Sequence, residues 1–367
     1  LPLTDGAEVG AEPIVVVRDL APGQLEVTVD VSGVDVEPID VAGQTMALVT
    51  VPGTAPMLRA GAPDLPMLAR AVRLPARGEA RLEVVAASWR TISSLPPAPS
   101  RGPLSRAVAP EDVPRRPGPV YAAAGVWPDA VAVLGRPFLV RDQRGVSLRV
   151  HPVRWDARRG RLLALAQLTV RIVTEGDGGA NRVERPIAAA PRAFGPLMTT
   201  LFGDDPAKSA DDRGPIDDQG VGHGVSERML VVTDPALRGA VAEFAAWKRE
   251  CGLVVEVVDM DQLGGTVMGV MDAIGSRYFS PEGLAYVQLV GDVAQVPTLA
   301  GQYNGSDSDV SYGLLSGDDL YVDVLVSRFP ARNGSEAAAM IGRSIAYERD
   351  VQAGAAWCTR AAGIASD

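Results

Sequence analysis

Met229-Leu-Val-Val-Thr-Asp-Pro-Ala-Leu-Arg-Gly-Ala-Val-Ala-Glu-Phe-Ala-Ala-Trp-Lys-Arg-Glu-Cys-Gly-Leu-Val-Val-Glu-Val-Val258 is the stretch that decides the fold. It opens with an unbroken apolar run, the pattern of a strand buried on both faces. Asp234-Pro235 then supplies an N-cap and a first-turn proline. Leu237, Val241, Phe244 and Trp247 recur at helical spacing, and the stripe ends near Gly252. A second apolar run starts at Leu253. Strand, helix, strand in that order calls for a parallel sheet.

The same alternation continues downstream. Val267 to Phe279 reads as a helix, Ala285-Tyr-Val-Gln-Leu-Val290 as a strand and Val322-Asp-Val-Leu-Val326 as another. A helix over Ser335 to Arg349 and a last strand at Ala361-Ala-Gly-Ile-Ala365 complete the expectation. Helices on both faces make a three-layer α/β arrangement, whose sites form at the carboxyl ends of strands. Asp292 and Asp367 are expected there.

Upstream the period is two. Ile14-Val-Val-Val-Arg18, Leu25-Glu-Val-Thr-Val-Asp-Val31, Met46-Ala-Leu-Val-Thr-Val51, Arg81-Leu-Glu-Val-Val85, Val146-Ser-Leu-Arg-Val150 and Leu168-Thr-Val-Arg-Ile-Val173 are short strands separated by Pro and Gly. That spacing predicts an antiparallel β-sandwich with little helix. The stretch from Pro96 to Pro119 is so rich in Pro and Arg that it reads as a long surface loop. Between Gly203 and Gly224 stand six Asp, one Lys and one Arg. This segment reads as an exposed linker. The expected organisation is therefore 1–200 β-rich, 201–226 linker and 227–367 α/β.

The 367 residues suffice for two cores, and a net charge of −10 argues against a nucleic-acid surface. No run of uninterrupted apolar residues reaches membrane-spanning length. Cys251 and Cys358 are the cysteines, so no disulfide framework is implied. Leu1-Pro-Leu-Thr-Asp5 has neither the basic start nor the apolar stretch of a signal peptide, which suggests an export signal already removed.

Acidic residues carry the clearest chemistry. Asp292 follows Gly291 at the end of a strand, and Gly317-Asp318-Asp319 forms a turn. Asp319, Tyr321 and Asp323 then take alternate positions of an extended segment, which share a face. Carboxylates plus main-chain carbonyls are hard oxygen donors suited to calcium. The plainer alternative is a turn whose Asp side chains cap backbone donors.

Taken together, Tyr286-Val-Gln-Leu-Val-Gly-Asp292, Tyr312 through Phe329 and Ile345-Ala-Tyr-Glu-Arg-Asp350 resemble the first half of the catalytic domain of the gingipain family of cysteine peptidases. Phe244-Ala-Ala-Trp-Lys248 before Gly252-Leu253, and Gly363-Ile-Ala-Ser366, match in the same order. Ala60-Gly-Ala-Pro-Asp-Leu-Pro66 with Arg73-Leu-Pro75, and Val150-His-Pro-Val-Arg-Trp155, resemble the family's propeptide. The resemblance implies a caspase-like fold and peptide-bond hydrolysis by a Cys thiolate with a His acid/base. It implies structural calcium held by Asp292, the Ser316 carbonyl, Asp319, the Tyr321 carbonyl and Asp323, where Asp323 replaces a family Glu.

On this reading the chain is an exported (secreted, periplasmic or surface) zymogen fragment, truncated within the catalytic domain. Its dyad would lie beyond Asp367, on a second chain, and its substrate would be a protein or peptide. Maturation would cut the acidic linker, with Arg213 the exposed basic candidate. Gly222-His223-Gly224 looks like the family's catalytic His motif but precedes the first strand of its domain, so His223 reads as a linker histidine. Cys251 and Cys358 read as structural, and His151 as a strand residue without an evident partner. The competing class is a secreted binding or assembly protein with a degenerate peptidase-like domain. A nucleotide site is disfavoured, because Asp234 stands where a phosphate loop would begin.

Overall fold

The computed structural model describes residues 1–3, 10–123, 125–184, 191–203, 227–301, 305–350 and 360. They form two compact units. Unit 1 comprises Leu1–Pro137 and Gly145–Ala180, and unit 2 comprises Phe138–Arg144 with the described residues from Asn181 onward.

Unit 1 begins with β1 (Ile14–Ala21), β2 (Gln24–Asp30), β3 (Asp35–Val41), β4 (Gln44–Thr50), β5 (Ala55–Pro56), β6 (Pro66–Arg73) and β7 (Glu79–Ser93). After a long connection come β8 (Val126–Trp127) and β9 (Ala132–Leu134). The strand β10 (Phe138–Val140) falls in unit 2, and the chain returns through β11 (Gln143–Val150), β12 (Val153–Asp156) and β13 (Arg161–Glu175). One antiparallel sheet runs β1-β2-β13-β12-β8, with β7 on the other side of β13. Another joins β9, β11, β6 and β5, and β3 pairs β4.

Register explains the core. Val27 faces Val170 and Val29 faces Leu168 across β2 and β13, while Val72 faces Val146 and Leu68 faces Val150 across β6 and β11. All eight are buried in one cluster fed by both sheets, so alternate residues of each strand meet in a shared interior.

The expected surface loop at Pro96–Pro119 is corrected at its start. Pro97 to Ser100 are buried. Prolines alternate here with Ala98 and Ser100, whose amides remain free to pair. Ala98 N–H donates to the Ala47 carbonyl at 2.7 Å, and Ser100 N–H to that of Ala62 at 2.8 Å. Proline thus occupies the positions where no donor is needed. Arg115 fastens the rest, at 2.7 Å from both Asp64 Oδ2 and the Pro99 carbonyl.

Unit 2 contains α1 (Gly195–Phe202), β14 (Arg228–Thr233), α2 (Arg238–Glu250), β15 (Val254–Asp259), α3 (Val267–Tyr278) and β16 (Tyr286–Val290). A small antiparallel pair, β17 (Leu299–Ala300) and β18 (Asp307–Ser308), precedes β19 (Leu325–Phe329) and α4 (Gly334–Arg349). The main sheet is parallel in the order β15-β14-β16-β19. Apolar residues of α2 and α4 cluster on one of its faces and those of α3 on the other. This is the three-layer arrangement expected from the period. Asp234 caps the turn ahead of α2, its side chain accepting from Ala236 N–H at 2.8 Å.

Two boundaries differ from expectation. Unit 2 takes up the chain again at Asn181 rather than after residue 200, and so includes α1. The strand expected at Val322–Val326 lies at Leu325–Phe329. Asp323 N–H instead donates to the Gly313 carbonyl at 2.7 Å, which holds 321–324 in a turn. The expected strand at 361–365 lies outside the described residues, as do Asp367, Cys358, Arg213 and His223.

Candidate functional site

Parallel register separates the expected metal ligands. Tyr286 pairs with Leu325 and Val290 with Phe329. Asp292 follows the carboxyl end of β16, whereas Asp323 precedes the amino end of β19. A five-residue pairing of this kind spans about 16 Å, so Asp292 is not brought to the others. Ser316, Asp319, Tyr321 and Asp323 do share one turn.

That turn is built on Asp323, whose side chain is fully buried. Its Oδ2 accepts the N–H groups of Leu315 (2.8 Å) and Ser316 (2.7 Å), and Tyr278 Oη–H points to Oδ1 at 3.4 Å. Burial pushes its carboxyl up to about 6, opposed by the two amide hydrogen bonds and reinforced by the neighbouring Asp319 charge. Tyr278 is also driven upward, by burial first and then by Asp323.

Asp319 is held by residues far away in sequence. Its Oδ2 accepts Leu139 N–H at 2.8 Å and the Asn181 side-chain amide at 3.0 Å, and its Oδ1 accepts Tyr321 N–H at 3.0 Å. Asn181 Oδ1 in turn accepts Asp318 N–H at 2.9 Å. Phe138 stacks on Tyr321 with ring centroids 4.4 Å apart.

Arg141, only 2% exposed, closes the base of the turn. Its Nη1 donates to the carbonyls of Leu284 (2.6 Å) and Asp323 (2.9 Å), and its guanidinium lies over the rings of Phe194 and Tyr278. Burial lowers its proton affinity, partly offset by Tyr278, Asp142, Asp323 and Glu227.

These contacts test the fit of calcium. The donor chemistry suits a hard cation. As a set of five the residues do not fit, because Asp292 is remote and Oδ2 of both Asp319 and Asp323 already accepts two N–H groups. A carboxylate oxygen has about two lone pairs to give. Among the described residues, no group of three or more His, Cys, Asp or Glu side chains is placed to hold a metal ion.

At the other end of the sheet, Arg328 shapes the loop carrying Asp292. It makes two 2.7 Å bonds to the Asp309 carboxylate and donates to the Gly291 and Val296 carbonyls at 2.7 Å. Gly291 has a φ of +143°, and a Cβ there would stand 2.6 Å from Gln295 Cβ. Only glycine gives this turn its close approach.

Comparison with known proteins places both halves in one family. The model named Propeptide_C25 matches residues 7–184, and Peptidase family C25 matches residues 225–367. The chain belongs to the gingipain-like cysteine peptidases. It is a propeptide followed by part of a catalytic domain.

The gingipain-like chain is 27% identical over 309 residues to Gingipain R2 of Porphyromonas gingivalis, covering 83% of this chain and 41% of the relative. It is 24% identical over 349 residues to Lys-gingipain of the same organism, covering 89% of the chain and 19% of the relative. It therefore spans less than half the length of either. Among solved structures it resembles the "Complex of Porphyromonas gingivalis RgpB pro- and mature domains" (TM-score 0.47, 21% identity, 51% of this chain and 96% of that one).

In the gingipain-like chain the turn joins Ser316, Asp319, Tyr321 and Asp323, which the sequence singles out, to Leu139, Arg141 and Asn181, which it does not. Phe138-Leu-Val-Arg-Asp-Gln-Arg144 looks like an ordinary charged hairpin turn, and nothing in it signals a buried guanidinium. His151, without an evident partner in the sequence, bonds through Nδ1 to the Ala130 carbonyl at 2.8 Å. Cys251 is exposed.

Proposed function

We propose that this chain is the latent portion of an exported cysteine endopeptidase precursor. The propeptide region is its inhibitory part, and the parallel sheet of unit 2 is the first section of a caspase-like catalytic domain. The observation that carries this reading is the succession of propeptide and peptidase matches in one chain. The reaction is hydrolysis of a peptide bond in a protein substrate. A Cys thiolate attacks the carbonyl, and an imidazolium protonates the departing amine.

We place that dyad in the part of the family's length that this chain does not span, on a second polypeptide. His151 does not supply its imidazole, because it is buried with Nδ1 bonded to the Ala130 carbonyl. Calcium is left out of the proposal, because Asp292 is remote from Ser316, Asp319, Tyr321 and Asp323 and the Oδ2 atoms of Asp319 and Asp323 are already taken by N–H donors. Arg213, within the acidic segment, is the proposed processing point. Among the described residues no helix is long and apolar enough to cross a membrane.

The test is labelling of the purified protein with a thiol-directed peptidase probe, followed by mass measurement of each polypeptide. Label on a polypeptide other than these 367 residues is expected. Label on Cys251, with hydrolysis lost in Cys251→Ser, overturns the placement of the dyad. Absence of hydrolysis from the whole protein favours the binding or assembly alternative.

A further inference from the structure

The first antiparallel sheet of unit 1 has two open edges. Among the described residues β1 pairs with β2 alone and β7 with β13 alone, so each keeps one side of its backbone unpaired. Such an edge is a template for another strand, and proteins that avoid the pairing guard it with Lys or Pro. Neither residue occurs in Ile14–Ala21 or Glu79–Ser93.

Apolar exposure gathers at these same edges. Ile14 is 63% exposed, and Val16, Val17 and Leu20 of β1 are exposed as well. On β7 the register shifts between Thr169 and Val170, which turns the successive residues Val84 and Val85 outward together, each 50% exposed. The two strands between are the reverse. Glu26, Thr28 and Asp30 of β2 alternate with buried Val27 and Val29, and Gln167, Thr169 and Arg171 of β13 alternate with buried Leu168, Val170 and Ile172. Apolar side chains at the rim and polar ones at the centre are the opposite of edge protection.

Charge selects the partner. Register places Arg18 beside Glu26, Glu26 beside Arg171 and Arg171 beside Glu83, a row that alternates in sign across four strands. The row opens with a cation on β1 and closes with an anion on β7, where Arg81 contacts only Oε1 of Glu83. Three successive antiparallel pairings also leave β1 and β7 running in opposite directions. A second copy displaced across the strands therefore brings its β1 antiparallel to β7, with Arg18 next to Glu83 and with Val16 and Ile14 alongside residues 84–88. Opposite charges set across strands in this way are favourable. Two copies of β1 have no such match, because Arg18 shares its face with Ile14, Val16 and Leu20 while Asp19 points the other way.

We propose that copies of this chain associate head to tail, β1 of one pairing with β7 of the next so that the sheet continues from copy to copy. The contact is heterologous and leaves one β1 and one β7 open at the ends, so it grows beyond a dimer. The twist of the sheet turns each copy relative to the last, which makes the array helical.

The experiment is sedimentation velocity on the full chain at rising protein concentration. The weight-average mass is expected to climb past that of two copies. Val16→Lys on β1 and Val85→Lys on β7 are each expected to sediment as monomers, since each blocks one of the two complementary edges. Mixed in equal amounts they are expected to stop at a dimer, because the first variant keeps its β7 and the second its β1. A urea midpoint equal to that of the wild type shows that each variant folds, and Ile14→Lys and Val84→Lys replace any that does not.

A wild-type chain that stays monomeric at every concentration overturns the proposal. Dimers of Val85→Lys alone assign the contact to β1 against β1 and overturn it, and dimers of Val16→Lys alone do the same for β7 against β7. Association that neither substitution changes runs through another surface and also overturns it.

Discussion

At the scale of single residues, Arg141 shows how a charge is accommodated in an interior. Two carbonyl acceptors and two aromatic faces replace its water, an arrangement matched to a planar guanidinium rather than a compact ammonium. Arg141→Ala strands the Leu284 and Asp323 carbonyls, and is expected to destabilise unit 2 by about 3 kcal/mol. Arg141→Lys should fail to restore it. Urea unfolding followed by the circular dichroism of both variants checks this. His151 gives a pH prediction for unit 1. Burial lowers its proton affinity, Arg149 and Arg154 add to that, and the Ala130 carbonyl opposes it. The folded chain then binds fewer protons than the unfolded one just below pH 6.5. The stability contribution is complete above the unfolded value and is lost as pH falls from about 6.5 toward the lower folded value, at no more than about 1.4 kcal/mol per pH unit. Urea midpoints read from Trp89, Trp127 and Trp155 should fall accordingly, and His151→Gln should flatten the slope.

At the scale of elements, local rules and tertiary context divide the work. Helix α4 starts where its sequence says it should. Asn333 Oδ1 accepts Glu336 N–H at 3.0 Å, and Glu336 returns a bond to Arg332 N–H at 2.9 Å. Asn333→Ala is expected to cost about 1 kcal/mol, measured as a shift in the denaturant midpoint. Strand β19 does not start where its sequence says. Val322 and Val324 have the composition of a strand, but the Asp323 carboxylate takes two amide donors from 315 and 316 and bends the chain first. Pro97–Ser100 fails the composition rule in the opposite sense, since alternate residues supply enough amides to join a neighbouring backbone.

At the scale of the whole molecule, two interiors of different construction lie along one chain. Unit 1 encloses a core fed by antiparallel sheets, and unit 2 has helices on both faces of a parallel one. The excess of 45 acidic over 35 basic residues belongs to the chain as a whole and argues against a nucleic-acid-binding role. Cys251, exposed at the end of α2, is outside both interiors. Cys251→Ser should therefore change stability by less than about 0.5 kcal/mol, read as an unchanged thermal midpoint. The same variant should leave hydrolysis by the whole protein intact, because the proposed thiolate is elsewhere.

The sequence by itself determined the division into a β-rich and an α/β part, the parallel sheet, the capped helices and four members of the acidic turn. Each of these is written in a local period or a short motif, which side-chain alternation and capping read directly. Only the tertiary structure decided that Asp292 stands apart, since the two Asp motifs precede and follow strands whose relative register no local pattern states. Only it decided that Phe138–Arg144 joins unit 2, through contacts 180 and 182 residues apart along the chain. Local periodicity reports which face of an element is buried, while the identity of the partner across that face is fixed by packing of the whole chain.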